Sequence, residues 1–196
     1  MVSSIEREFK TLLTLNQYEQ LLDYFQLNSD QAIIQTNHYY DTVNSQFKSI
    51  NAALRLRVFQ DQTSEWTIKQ QLNEIDSLEL TQINQETIYS IPTQLTHEMI
   101  NTQEIQDFIQ RHAIRWDGLQ LTQSFKTIRH YIQSDKGLYA LDRTEFNDAT
   151  DYELELETED LDQGLAQFNA LLEQFQIPYQ QANTKLARAF NYSIKE

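Results

Sequence analysis

The run Tyr152-Glu153-Leu154-Glu155-Leu156-Glu157 constrains this chain more than any other segment, because acid and apolar residues alternate along it without a break. Residues i and i+2 of a strand share a face, so the run is a strand with three glutamates on one side and leucines on the other. The same period of two recurs. Glu6-x-Glu8-x-Lys10 opens the chain, and LRLR carries Arg55 and Arg57. Single charges sit in equally strand-like stretches: Lys69 in WTIK, Arg129 in KTIR and Asp142 in ALD. For any one row the ordinary reading is a solvated face of an antiparallel sheet, with the core on the other face. Taken together the rows fit that reading less well, since like charges recur where a solvated face usually mixes signs. Arginine, moreover, offers planar phosphate oxygens a rigid fork of donors. Two carboxylates about 5 Å apart at an effective dielectric near 20 repel by roughly 3 kcal/mol. Facing acidic rows in one cavity therefore need metal or adjacent basic residues. Oxygen-only donors select hard ions, Mg²⁺ or Mn²⁺.

Composition removes several alternatives. The 196 residues contain no cysteine, so there is no disulfide framework, thiolate metal site or thiol nucleophile. Gly118, Gly137 and Gly164 stand alone, which excludes a glycine-rich phosphate loop or dinucleotide-binding turn. The four histidines, His38, His97, His112 and His130, lack ligand spacing. No signal peptide or bilayer-spanning apolar run is visible, so the expectation is a cytoplasmic protein. The formal net charge of −14 disfavours nucleic acid and anionic membranes as partners.

Periodicity predicts strands at about 2–10, 32–41, 53–60, 64–72, 76–83, 119–133, 138–147 and 150–158. Thr14 and Gln17 form a candidate capping box before a helical stripe of Leu15, Tyr18, Leu22 and Phe25. Residues 84–115 read as helical or irregular, with Ile105, Phe108 and Ile109 the clearest stripe. A helix over about 160–175 places Leu161, Leu165, Phe168, Leu172 and Phe175 on one side and ends at Pro178, and a last short helix begins near Thr184. The expectation is one α+β domain over 1–196, built on a large antiparallel sheet or barrel.

Read in order, EREFK, YYDT at 39–42, LRLR at 54–57, WTIK at 66–69, Arg129, LYALD at 138–142, YELELE at 152–157 and KLARAF at 185–190 resemble the motifs of the CYTH superfamily, the triphosphate tunnel metalloenzymes. The chain looks most like the small stand-alone members of Gram-positive bacteria. The resemblance implies an eight-stranded antiparallel β-barrel tunnel with flanking helices and a C-terminal plug helix. It implies that Glu6, Glu8, Asp142, Glu155 and Glu157 hold one or two divalent metals, with Glu153 a further candidate. Lys10, Arg55, Arg57, Lys69 and Arg129 would grip a triphosphate, joined by Lys185 and Arg188 from the plug helix.

The function so implied is metal-dependent hydrolysis of inorganic tripolyphosphate to pyrophosphate and phosphate. Glu6, Glu8 and Lys185 are the catalytic candidates. Lys185 would position the attacking water, or accept its proton if its pKa is depressed. Thiamine triphosphate, a nucleotide, cyclisation of ATP to cyclic AMP, and a silent polyphosphate-binding module are the alternatives. The implied interior is nearly balanced in charge, so the acidic excess lies outside it and does not exclude a small polyanion held within. Outside the motif set, Lys126 and Arg143 are read as solvent-facing and Trp66 and Trp116 as packing residues. His38 and Tyr39–Asp41 are read as structural near a strand end, and Glu79 as either bracing a tunnel arginine or solvated.

Overall fold

The computed structural model describes residues 2–180 and 182–193. In chain order the elements are β1 (Val2–Leu13), α1 (Leu15–Tyr24), β2 (Ile33–Asp41), α2 (Gln46–Ser49), β3 (Ala52–Phe59), β4 (Ser64–Gln71), β5 (Asp76–Asn84), α3 (Gln103–Arg111), β6 (Gln120–Ser134), β7 (Gly137–Glu145), β8 (Thr150–Glu157), α4 (Leu161–Gln174) and α5 (Lys185–Ser193). The strands form a closed antiparallel barrel in the order β1-β5-β4-β3-β2-β6-β7-β8. Among the described residues no helix is long and apolar enough to cross a membrane.

Backbone contacts divide the chain into two compact units, one around Thr36–Ser124 and the other around Glu6–Gln35 with the chain from Phe125 onward. In each, alternation decides where the core lies. In the first unit Leu54, Leu56, Trp66, Ile68 and Leu80 are buried with Ile100, Ile105, Phe108, Ile109 and Leu119. The apolar face of β3–β5 is thus covered by α3 and the segment around it. Gln82 ties that segment down, its side-chain oxygen accepting from the Asn101 and Thr102 N–H groups at 2.8 and 2.9 Å. In the second unit Phe9, Tyr139, Leu141, Leu154 and Leu156 are buried, and Phe168 of α4 packs on Phe9 and Tyr139. The charged residues alternate with these and occupy the opposite face.

Local signals explain most boundaries. Thr14 and Gln17 make the expected capping box at α1. Asp41 accepts from the N–H groups of Thr42, Phe47 and Lys48, so this motif aspartate ties the end of β2 to α2. Two helical faces differ from expectation. On α1, Leu15 is half exposed while Tyr18 and Leu21 are buried, because the packing face begins one turn inside the cap. On α4, Leu165 is 39% exposed, and Gly164, Phe168, Leu171 and Leu172 form the buried side. The α4 bounds agree with the expected 160–175: past Gln174, Gln176 turns to φ 52° and the Ile177 N–H donates to the Leu172 carbonyl at 2.8 Å, ahead of Pro178.

Gly164 lets α4 approach β8, since a Cβ there would meet Thr158 side-chain atoms at 2.5–2.8 Å. Helix propensity alone would make Gly→Ala favourable by about 1 kcal/mol. Here Gly164→Ala should instead lower the urea midpoint. Leu165→Ala on the exposed side should change stability by less than about 0.5 kcal/mol.

Candidate functional site

In the first unit the strand register sets basic residues against acids. Arg57 lies opposite Glu65, and Lys69 opposite Glu79. Arg57 donates to Glu65 at 3.2 Å and to the Asn37 side-chain oxygen at 3.0 Å. The Lys69 and Glu79 side chains are 3.3 Å apart, so Glu79 braces a cation. Arg55 shares the face of Arg57, with a terminal nitrogen 3.8 Å from the same Glu65 carboxylate. Burial works against the Arg55 charge, but Tyr39, Glu79 and Glu65 outweigh it and keep the guanidinium protonated. Its Nε is nonetheless buried with no hydrogen-bond partner among the described residues. A buried unsatisfied donor costs about 1–3 kcal/mol, more when charged, so this nitrogen is suited to an anion.

The second unit holds a denser network. Arg129 and Asp142 are cross-strand partners, and the guanidinium donates to both oxygens of that fully buried carboxylate at 2.7 and 2.5 Å. Its NH2 also reaches Glu155 at 2.6 Å. Asp142 faces Glu153 across β7 and β8, a like-charge pair that would be destabilising alone. Lys185 of α5 resolves it. Its ammonium lies 2.9 Å from Asp142, 3.1 Å from Glu153 and 2.7 Å from Glu155. Arg188, one turn on and 6% exposed, contacts Glu153 and donates to Asp151 at 2.7 Å. On β1, Lys10 pairs with Glu8 at 2.7 Å, and Glu6 shares their face.

These contacts set the protonation states. Burial raises the Glu153 carboxyl, and Lys185 and Arg188 only partly offset it because Glu155 adds repulsion. Burial would raise Glu155 too, but Lys185, Arg129 and Lys10 hold it well below the usual carboxylate range. Lys185 is buried, yet Glu153, Glu155 and Asp142 raise its pKa. A proton-acceptor role for Lys185 requires a depressed pKa. In this cage it remains a cation.

The structure brings Lys10, Arg129, Asp142, Glu153, Glu155, Lys185 and Arg188 into one network with Glu8, and Arg55, Arg57 and Lys69 into another. Glu157 lies at the exposed end of β8. Arg188 is spent largely on protein acceptors. Lys126 and Arg143 are well exposed, each paired with Glu145. Trp66 is core, and His38 bonds Ser124 at 2.8 Å. Asp151, Tyr192, Glu65 and Asn37 join these networks without having been expected from the sequence. Strand parity alone puts Asp151 in line with the glutamates after it, whereas Glu65 and Asn37 emerge only from the pairing. Oxygen-only carboxylates suit a hard divalent ion, and three of them already converge on one cation, the Lys185 ammonium. Among the described residues no group of three acids or histidines is arranged to hold a metal as it stands. The donor set fits such an ion in chemistry, with Lys185 standing in its place.

A model of the CYTH domain matches residues 4–190. Over 195 residues, all of this chain and 99% of the relative, the sequence is 30% identical to YjbK of Bacillus subtilis strain 168, provisionally designated a triphosphatase. A Bacillus halodurans protein provisionally designated an adenylate cyclase is similar in fold, with TM-score 0.83, 24% identity and coverage of 97% of this chain and 100% of that one. HpAC1 from Hippeastrum, an adenylyl cyclase by provisional assignment and described as having dominant triphosphatase activity, gives 0.77 at 20% identity, covering 96% and 95%.

Removing Arg129 takes both of its hydrogen bonds from the buried Asp142 carboxylate and leaves Lys185 as the neighbouring cation. Arg129→Ala should cost about 3–5 kcal/mol in urea unfolding, the range for breaking a buried pair from one side. Because Glu155 is depressed, its contribution is complete above the ordinary carboxylate pKa and is lost as pH falls through the lower folded value. Glu155→Gln should therefore flatten the acid limb of the stability–pH curve below about pH 4.5, read by thermal melts at successive pH values.

Proposed function

The chain belongs to the CYTH domain family, and from that premise we propose that it is a divalent-metal-dependent triphosphatase, read as one domain over 1–196, whose substrate is inorganic tripolyphosphate. The observation that carries this reading is the buried Arg55 Nε without a protein acceptor among the described residues, in a row with Arg57, with Lys69 two positions along the paired strand from Thr67 opposite it. Such a donor favours a ligand with several anionic oxygens. No stretch marks an adenine or thiazolium pocket, which favours the inorganic substrate over its organic relatives.

Hydrolysis of a terminal phosphoryl group needs neutralised oxygens and an in-line water, with little covalent chemistry from the protein. Lys10, Arg55, Arg57, Lys69 and Arg129 bind and orient the triphosphate oxygens in this reading, with Lys185 and Arg188 contributing from α5. Glu6, Glu8, Asp142, Glu153, Glu155 and Glu157 would hold Mg²⁺ or Mn²⁺. The bound metal supplies neutralisation of phosphate charge and a more acidic water. Lys185 as a cation orients the water or a phosphate oxygen and does not take the proton.

The test is phosphate and cyclic-nucleotide release from tripolyphosphate, thiamine triphosphate and ATP, each with Mg²⁺, Mn²⁺ or Ca²⁺. Phosphate release should be fastest from tripolyphosphate and absent without metal. No turnover of any triphosphate, or equal turnover without metal, rejects the proposal. Glu6→Gln combined with Glu8→Gln should abolish turnover while the thermal melt stays cooperative.

A further inference from the structure

Asp151 is the hub that holds α5 against the strands. One of its oxygens accepts from Arg188 Nε at 2.7 Å, and the other accepts from the Tyr192 hydroxyl at 2.7 Å. Arg188 and Tyr192 are four residues apart, so a single carboxylate grips one face of α5 across a full turn. Tyr192 also packs on Phe146, with ring centroids 5.3 Å apart, and Arg188 contacts Glu153 and the Asn183 carbonyl. Thr184 caps the helix start, accepting from the Ala187 N–H at 3.2 Å. One turn before Arg188 on the same helix, Lys185 then has its ammonium among Asp142, Glu153 and Glu155.

We propose that Asp151, acting through Arg188 and Tyr192, is a positioning residue that seats Lys185 as the exchangeable counter-cation of this three-carboxylate cage, so that Lys185 and a divalent cation compete for the same oxygens. The proposal rests on the metal-binding part of the proposed function. A cation inserted beside an ammonium at these distances is repelled, and removal of the ammonium leaves the cage one positive charge short, with Arg129 and Arg188 still on its carboxylates. Metal alone therefore binds against the seated helix. An arriving polyanion offers Lys185 another partner and frees the cage, which couples metal and triphosphate binding through one side chain.

The test uses the full chain without any triphosphate, so its outcome is independent of whether hydrolysis is observed. Mn²⁺ binding is titrated by electron paramagnetic resonance for wild type, Lys185→Met, Asp151→Asn and Tyr192→Phe, with thermal melts confirming folding. Lys185→Met should bind Mn²⁺ at least about tenfold more tightly than wild type, a conservative figure for one unit-charge contact in partly buried surroundings. Tyr192→Phe and Asp151→Asn, which keep the cage and its lysine, should tighten binding by a smaller factor. A second measurement on wild type removes dependence on any variant's folding: amine-acylation of Lys185, followed by mass spectrometry, should be slow alone and accelerate when Mn²⁺ is added. Mn²⁺ affinity unchanged or weakened in Lys185→Met, or labelling of Lys185 indifferent to Mn²⁺, overturns the proposal. Wild-type triphosphate hydrolysis with either of those results would reject the competition and leave the function standing.

Discussion

Charge neutralisation away from bulk water governs this structure. Glutamates and an aspartate on neighbouring strands cannot share a buried face unless cations stand among them, because each desolvated charge costs several kcal/mol and like neighbours add to it. Arg129 answers Asp142 across a strand pair, Lys10 answers Glu8 along one, and Lys185 arrives from a helix far along the chain. The last is what makes α5 part of the site and not an appendage. Its position is fixed by the acids it neutralises and by Asp151 together.

The apolar core occupies the other face of the same strands. Leu154 and Leu156 are buried under helices while the residues between and beside them are charged. Such a division is possible because a strand presents two independent surfaces, and helices can cover one of them entirely. In the first unit the segment between β5 and β6 provides that cover, anchored by Gln82 and α3. α1 and α4 contribute the buried residues Leu21 and Phe168 in the second.

Much of this was legible in the sequence. The alternation of 152–157 fixes a strand and its two faces, and β-branched or aromatic runs mark the other strands within a few residues of where they occur. The Thr14 capping box and the motif arginines are equally local signals. Helix faces were less legible: Leu15 and Leu165 continue an apolar stripe, yet tertiary contact falls on Leu21 and Leu171 instead. Pairings such as Arg57 with Glu65 and Asn37 depend on register, which a single strand does not encode. The protonation of Lys185 depends on three acids from two strands, and no inspection of KLARAF reveals it.

The separation of the two faces also bears on how such a protein can change over time. Buried apolar residues and charged residues alternate along the same strands and lie on opposite faces. A substitution at Arg55 or Lys69 leaves the leucine and aromatic packing beneath the helices intact, so its cost is confined to the ion pairs with Glu65 and Glu79. The chemistry of the charged face can then drift by single steps while the scaffold persists. The exception is the network around Asp142, where each charge is held by several others, and there change must come in compensating pairs.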